Sequence, residues 1–359
     1  MSFNGPPKIF SGRKDLEKKE ETPTFETHRY DLESASVAVE SRLFSPEEKI
    51  EGKAVIFLPG WSMTADSKST ELMGKSLSKE SRADTYALTT RLEQRGGNEP
   101  EDPLYEEAQA LAKFIKEKAL KDVTIVGHSQ GGDRAVNLAT LLQDFPDMKL
   151  DGLILINPVG MYEQGAVELA TKFAGNSAYT IASVDKEINR AGLSPEAREK
   201  AQDAIAPALQ AGNDVMRGIT KEVLNSKLEY PSRFKSEVTE MAEQNSHTRE
   251  LTVPIVIVTG MQDSVSDALR IAPELQVEAF KTGLGEVSKE DASEEVSRQD
   301  TTLRAREAQL KESLFPKSPY VRMLVPEKFG VHSLPFLRPE SVAKTSLYML
   351  ERFNRNKEG

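Results

Sequence analysis

The stretch Val123–Val136, VTIVGHSQGGDRAV, decides how this chain is read. A short apolar run ends in Gly127-His128-Ser129-Gln130-Gly131-Gly132, and a helix-forming sequence follows. Residues 127–131 fit the pattern G-x-S-x-G, with a strand running in and a helix running out. A serine carried on so tight a strand-to-helix turn requires a strained backbone, and side chains two positions to either side would collide. Glycine at 127 and 131 removes those side chains, and Gly132 permits close packing of helix on strand. The N-terminus of the following helix favours negative charge developing nearby. A phosphate-binding loop is the competing reading, but it requires G-x-x-x-x-G-K-[ST], and no lysine follows here. Ser129 is the candidate nucleophile.

Outward from this turn the chain alternates between two patterns. Ala54–Leu58, Thr85–Leu88, Val123–Val126, Leu153–Ile156, Ile255–Val258 and Tyr320–Val325 are short apolar runs. Continuous rather than alternating runs predict strands covered on both faces. Between them, Ala108, Leu111, Ala112, Ile115 and Ala119 repeat at helical spacing, as do Val342, Ala343, Ser346, Leu347, Leu350 and Phe353. Strands alternating with helices predict an α/β fold, a mainly parallel doubly wound sheet flanked by helices. Residues 28–44 read as an N-terminal pair of strands.

Two segments break the alternation. From Met161 to Thr252 no strand pattern occurs. Ser194-Pro195 reads as an N-cap with proline at the first helical position, and Ala197, Ala201, Ala204, Ile205, Ala208 and Leu209 follow it at helical spacing. Val215, Ile219 and Val223 form a second stripe, and Phe234, Val238 and Met241 a third. This is a helical insertion between two strands. Residues 285–312 are dense in charge; Val296, Leu303 and Leu310 recur every seven residues, too few for a coiled coil. They read as an exposed helix or surface excursion. The expected organisation is a polar, disordered tail over 1–25, a core of 26–160 and 253–359, and the insertion 161–252.

Composition narrows the chemistry. The 359 residues hold 38% apolar side chains, enough for a large core. The net charge of −10 disfavours nucleic acid as a partner, since a basic stripe is the usual footprint. There is no cysteine, which excludes disulfides, thiolate metal sites and a cysteine nucleophile. The first 25 residues contain no apolar segment of the secretory kind, and no run is long enough to span a membrane as a helix. The expected location is cytoplasmic.

The elbow and its flanks resemble the α/β-hydrolase superfamily, in particular its capped serine esterases and lipases. The resemblance implies a triad in the chain order Ser, Asp/Glu, His. Of four histidines, His28 precedes the sheet, His128 lies in the elbow and His247 in the insertion. His332, in KFGVHSLPF between the last strand and the final helix, stands where the superfamily carries its base. The acid is expected after the preceding strand, where Asp263 lies three residues beyond Gly260, with Asp267 its rival in the same loop. The oxyanion hole would use backbone N–H groups of Gln130 and of Trp61, with Ser62 the alternative to Trp61. Pro59 stands where the family often has histidine, a departure in that loop. The insertion sits where the family carries its cap. The implied reaction is hydrolysis of a small-molecule carboxylic ester or thioester through an acyl-enzyme, without metal or organic cofactor. Amide or carbon–carbon bond hydrolysis and perhydrolysis use the same scaffold and triad. Some members are triad-retaining receptors.

Overall fold

The computed structural model describes residues 25–33, 35–60, 63–94, 103–158, 250–259, 314–324 and 339–358, together with 304, 307, 308 and 310–312. The tail 1–24, Trp61, Ser62, Asp263, Asp267, His332, nearly all of the insertion and most of the charged stretch lie outside the described residues.

Eight strands form one sheet: β1 (Phe25–Asp31), β2 (Ala35–Phe44), β3 (Lys53–Leu58), β4 (Asp84–Gln94), β5 (Asp122–His128), β6 (Lys149–Ile156), β7 (Ile255–Val258) and β8 (Val321–Leu324). Their spatial order is β1-β2-β4-β3-β5-β6-β7-β8. β1 and β2 form an antiparallel pair, β2 runs antiparallel to β4, and every pairing from β4 to β8 is parallel. All six apolar runs are strands, and the N-terminal pair begins at Phe25.

The apolar runs are continuous because successive residues enter two different cores. Ile56, Leu58, Ile125, Leu153, Leu155, Ile255 and Ile257 point into one cluster, packed against α2 (Pro103–Glu117) and α3 (Gly131–Leu142). Val55, Phe57, Val126, Ile154, Ile156, Val256 and Val258 point into the other, packed against α1 (Lys68–Ser81) and α4 (Pro339–Glu358). Each such side chain, fully buried, contributes about 1.5–3 kcal/mol relative to exposure.

α1 is an element that the periodicity does not announce. Its buried face includes Ser69, Thr70, Ser76 and Ser78 beside Met73 and Leu77, so small polar residues stand where an apolar stripe is expected. Its start is marked locally: the Ser67 hydroxyl accepts a hydrogen bond from the Thr70 N–H at 3.2 Å, an N-cap. At the described end of the charged stretch Arg304, Ala308, Lys311 and Glu312 are exposed, while Glu307 and Leu310 are buried. Leu310 is fully buried in the first core. The Glu307 carboxylate accepts the Met323 N–H at 2.9 Å and the Arg322 guanidinium at 2.6 Å. Met323 lies on β8, whose outer backbone groups have no strand partner among the described residues, and a side-chain acceptor satisfies one of them.

The connections set the position of the site. From β3 the chain crosses over α1 to β4 on one side, then returns over α2 on the opposite face to β5 on the other side. The boundary between β3 and β5 is therefore a topological switch point, where sheets of this kind leave a crevice at the carboxyl ends of their strands.

Candidate active site

At that boundary Leu58 of β3 pairs with Gly127 of β5. One residue after β5, Ser129 has φ 55°, in the left-handed region. For a residue with a Cβ this conformation costs about 1–2 kcal/mol. It persists because the neighbourhood fixes it. The Ser129 N–H donates to the Ile156 carbonyl at 3.0 Å, and the Ser129 carbonyl accepts the Gly132 N–H at 2.9 Å. Ser129 is 2% exposed.

The flanking glycines answer to contacts that a side chain would break. A Cβ on Gly131 would lie 2.0 Å from the Leu58 carbonyl oxygen, and one on Gly127 would lie 2.4 Å from the Gly131 carbonyl oxygen. Backbone cannot retreat from either contact cheaply. Gln130 opens α3 in right-handed helical conformation, and its side chain makes no capping bond. Among the described residues no backbone carbonyl accepts the Gln130 N–H. Helix N-termini leave such donors over, and their aligned dipoles favour an anion nearby.

The remaining members of the expected site are approached through the strands that precede them. His128 of β5 pairs with Ile156 of β6, Ile156 with Val258 of β7, and Val258 with Leu324 of β8. The ladder continues past the strand ends: Asn157 N–H donates to the Val258 carbonyl at 2.7 Å, and Thr259 N–H to the Leu324 carbonyl at 3.0 Å. The strands leading to residues 129, 263 and 332 thus end in one row at one edge of the sheet. Three strand spacings, about 14 Å, separate the first from the last.

Three features of the site escape a reading by motif. Asn157, directly after β6, is fully buried and has φ 44°. Asparagine is the residue other than glycine that tolerates this region best, so its identity there was the available signal. Gly60 packs against the elbow, which only strand order could reveal. Asp133 lies in the first turn of α3 and is 7% exposed. Burial pushes its carboxyl well above its ordinary range, and the neighbouring Arg134 guanidinium only partly opposes this. Arg134 is itself engaged with Glu107 of α2. Among the described residues the Asp133 Oδ2 and the Gln130 Oε1 have no hydrogen-bond partner. Such buried oxygens are uncommon, each costing about 1–3 kcal/mol when left unpaired.

An antiparallel pair leading into a parallel sheet, helices on both faces, and a strained serine after the central strand define the α/β-hydrolase fold, and this chain has it. A "probable hydrolytic enzyme" of Pseudomonas aeruginosa superposes on it with a TM-score of 0.50, over 90% of this chain and 93% of its own, at 13% identity. Proline iminopeptidase of Mycobacterium smegmatis covers 91% of this chain and 98% of its own at 11% identity, with a TM-score of 0.49. A lipase-esterase related protein of Clostridium acetobutylicum covers 85% and 97% at 14% identity, with a TM-score of 0.43. At these identities the likeness is one of fold. No protein-family model matches the sequence, and no curated protein does. Among the described residues no helix is long and apolar enough to cross a membrane.

Proposed function

We propose that this chain is a serine hydrolase that cleaves a small carboxylic ester or thioester through an acyl-enzyme. The observation that carries the reading is the backbone of Ser129, held at φ 55° and buried between a strand end and a helix N-terminus. A fold keeps a strained, buried serine at a switch point when the strain presents its hydroxyl to a substrate.

In this reading His332 takes the Ser129 proton as the oxygen attacks the carbonyl carbon. Asp263 accepts the other ring N–H of His332, holding its tautomer and stabilising the imidazolium. The Gln130 and Trp61 backbone N–H groups receive the negative charge that develops on the carbonyl oxygen. His332 then protonates the leaving alcohol or thiol. Water, deprotonated by the same histidine, releases the acid and restores Ser129. The insertion 161–252 forms a cap that shapes the acyl pocket. No step calls for a metal or an organic cofactor.

The test is Ser129→Ala, assayed with p-nitrophenyl esters of graded acyl length and with a fluorophosphonate label. Loss of the nucleophile lowers kcat by about 10⁴–10⁶ and abolishes labelling. A folded variant retaining a tenth of wild-type kcat overturns the assignment. A wild-type protein that labels at Ser129 yet turns over no ester favours a receptor built on the same triad.

A further inference from the structure

Arg42 lies on β2 and is 7% exposed. A guanidinium is rarely buried unless its donors are paired, because removing the charge from water is costly. Its place on the strand explains the partners it finds. Phe44, two residues on, shares its face of the sheet. The guanidinium carbon of Arg42 lies 5.1 Å from the centre of the Phe44 ring. α1 rests on the same ring so closely that a Cβ on Gly74 would come 2.3 Å from Phe44 Cε2. The guanidinium is thus closed in beside the start of α1, where its two ends go to different groups. Nη2 stands 3.1 Å from Glu71 Oε2. Nη1 donates to the Asp66 carbonyl oxygen at 3.3 Å.

The ion pair with Glu71 ties strand to helix. The bond to Asp66 reaches somewhere else. Asp66 precedes the N-cap Ser67, and the first bond of the helix runs from the Glu71 N–H to the Ser67 carbonyl at 3.0 Å. The Asp66 carbonyl therefore belongs to the loop 59–67, which leaves β3 beside the elbow. Two successive closures shape that loop. The Met63 N–H donates to the Gly60 carbonyl at 3.2 Å, and the Ser67 N–H to the Thr64 carbonyl at 3.1 Å. The Thr64 hydroxyl donates to the Asp66 carboxylate, and Ala65 between them is fully buried. At the near end of the loop, a Cβ on Gly60 would lie 2.8 Å from the Ser129 Cβ. Bonded backbone thus runs from the Arg42 guanidinium to the wall beside Ser129, with little freedom to absorb a shift at either end.

We infer that Arg42 is a positioning residue for the reaction at Ser129: by holding the Asp66 carbonyl it fixes the loop 59–67, and with it the backbone that stands against the serine. This rests on the serine hydrolase reading above. In that reading the residue after Gly60 also supplies an oxyanion donor, so a loop that drifts degrades attack and charge stabilisation together. The chemistry of arginine suits the task. Its planar fork reaches two acceptors at a fixed separation, whereas a lysine ammonium is a single point charge.

The test pairs Arg42→Met, which keeps an apolar stem over Phe44 and removes the fork, with Glu71→Gln. Rates are expressed per active serine, counted from the end-point of fluorophosphonate labelling. Arg42→Met should lower kcat/KM for p-nitrophenyl esters and the second-order labelling rate by about 10–100-fold per active serine. Glu71→Gln weakens the ion pair and leaves the bond to Asp66, so both rates should stay within about threefold of wild type. A merely structural role would lower the urea midpoint and the number of active serines but leave the rate per serine unchanged, and that result overturns the inference. Glu71→Gln reproducing the loss overturns it as well, and assigns the effect to the seating of α1. If Arg42→Met fails to fold, Arg42→Lys decides, because it keeps the charge opposite Glu71 without the fork. A rate per serine within about threefold of wild type then overturns the inference, and a larger loss supports it. A wild-type protein that takes no label and turns over no ester takes down the hydrolase reading and this inference with it. An active wild type with an unaffected Arg42→Met overturns this inference alone.

Discussion

Gly60 stands directly against Ser129 across the boundary between β3 and β5. A Cβ built on Gly60 would come 2.8 Å from the Ser129 Cβ and 3.0 Å from the His128 Nδ1. The two residues are far apart in sequence, yet the backbone after β3 forms the wall beside the candidate nucleophile. Neither side has room to yield, because Ser129 is already held in its left-handed conformation by bonds to Ile156 and Gly132.

Gly60→Ala is expected to damage activity more than stability. The added methyl displaces Ser129 by a fraction of an ångström, and a misplacement on the scale of 1 Å costs about 10²-fold in rate. The second-order rate of fluorophosphonate labelling should fall by about 10–100-fold while the urea midpoint shifts little. Labelling at the wild-type rate would mean that the 59–60 backbone does not constrain the serine.

Ser129→Gly and Ser129→Ala should both be inactive but differ in stability. At φ 55° the alanine variant keeps the strain of a Cβ in the left-handed region, and glycine relieves it. The glycine variant is expected to be the more stable by about 1 kcal/mol, read as a difference in urea-extrapolated unfolding free energy. Equal stabilities would show that the elbow relaxes once the hydroxyl is gone.

Asp133 makes stability fall as pH rises. Its carboxyl titrates well above the ordinary 3.8 in the folded chain and near that value when unfolded. Above pH 3.8 the unfolded chain gives up a proton that the folded chain still holds, so the unfolded state gains with increasing pH up to the folded pKa. Asp133→Asn removes this penalty. Its stability relative to wild type should grow between pH 4 and pH 8, measured by urea denaturation at the two pH values. A constant difference would show that the carboxyl is ionised in both states across that interval.

Asp263→Asn should reduce kcat by a factor on the order of 10⁴, as loss of the orienting carboxylate does in the Ser-His-Asp template. Asp267→Asn should change it little. Collapse of activity in the second variant with near-normal turnover in the first would transfer the acid role to Asp267.

What the sequence determined by itself was whatever depends on near neighbours in the chain. The elbow was legible because the atoms that crowd Gly127 belong to Gly131 and Ala135, a few residues away. The strands were legible because a strand covered on both faces is a near-continuous apolar run, as Leu153, Ile154, Leu155 and Ile156 are. α1 was not, because the serines on its buried face carry no apolar period and only tertiary contact buries them. Tertiary structure alone brought Gly60 onto Ser129, since that contact depends on β3 and β5 being adjacent while β4 lies outside them. It alone brought Glu307 to the Met323 N–H, an acceptor that the terminal strand required and that local sequence could not assign. Asp133 is the sharpest case. In the sequence it is an acidic residue in the first turn of a helix, a position that ordinarily means a solvated carboxylate favoured by the dipole. Packing around α3 removes the water, and with it the charge's main source of stabilisation. The same side chain thereby becomes a buried carboxyl in the first turn of the helix that follows the candidate nucleophile.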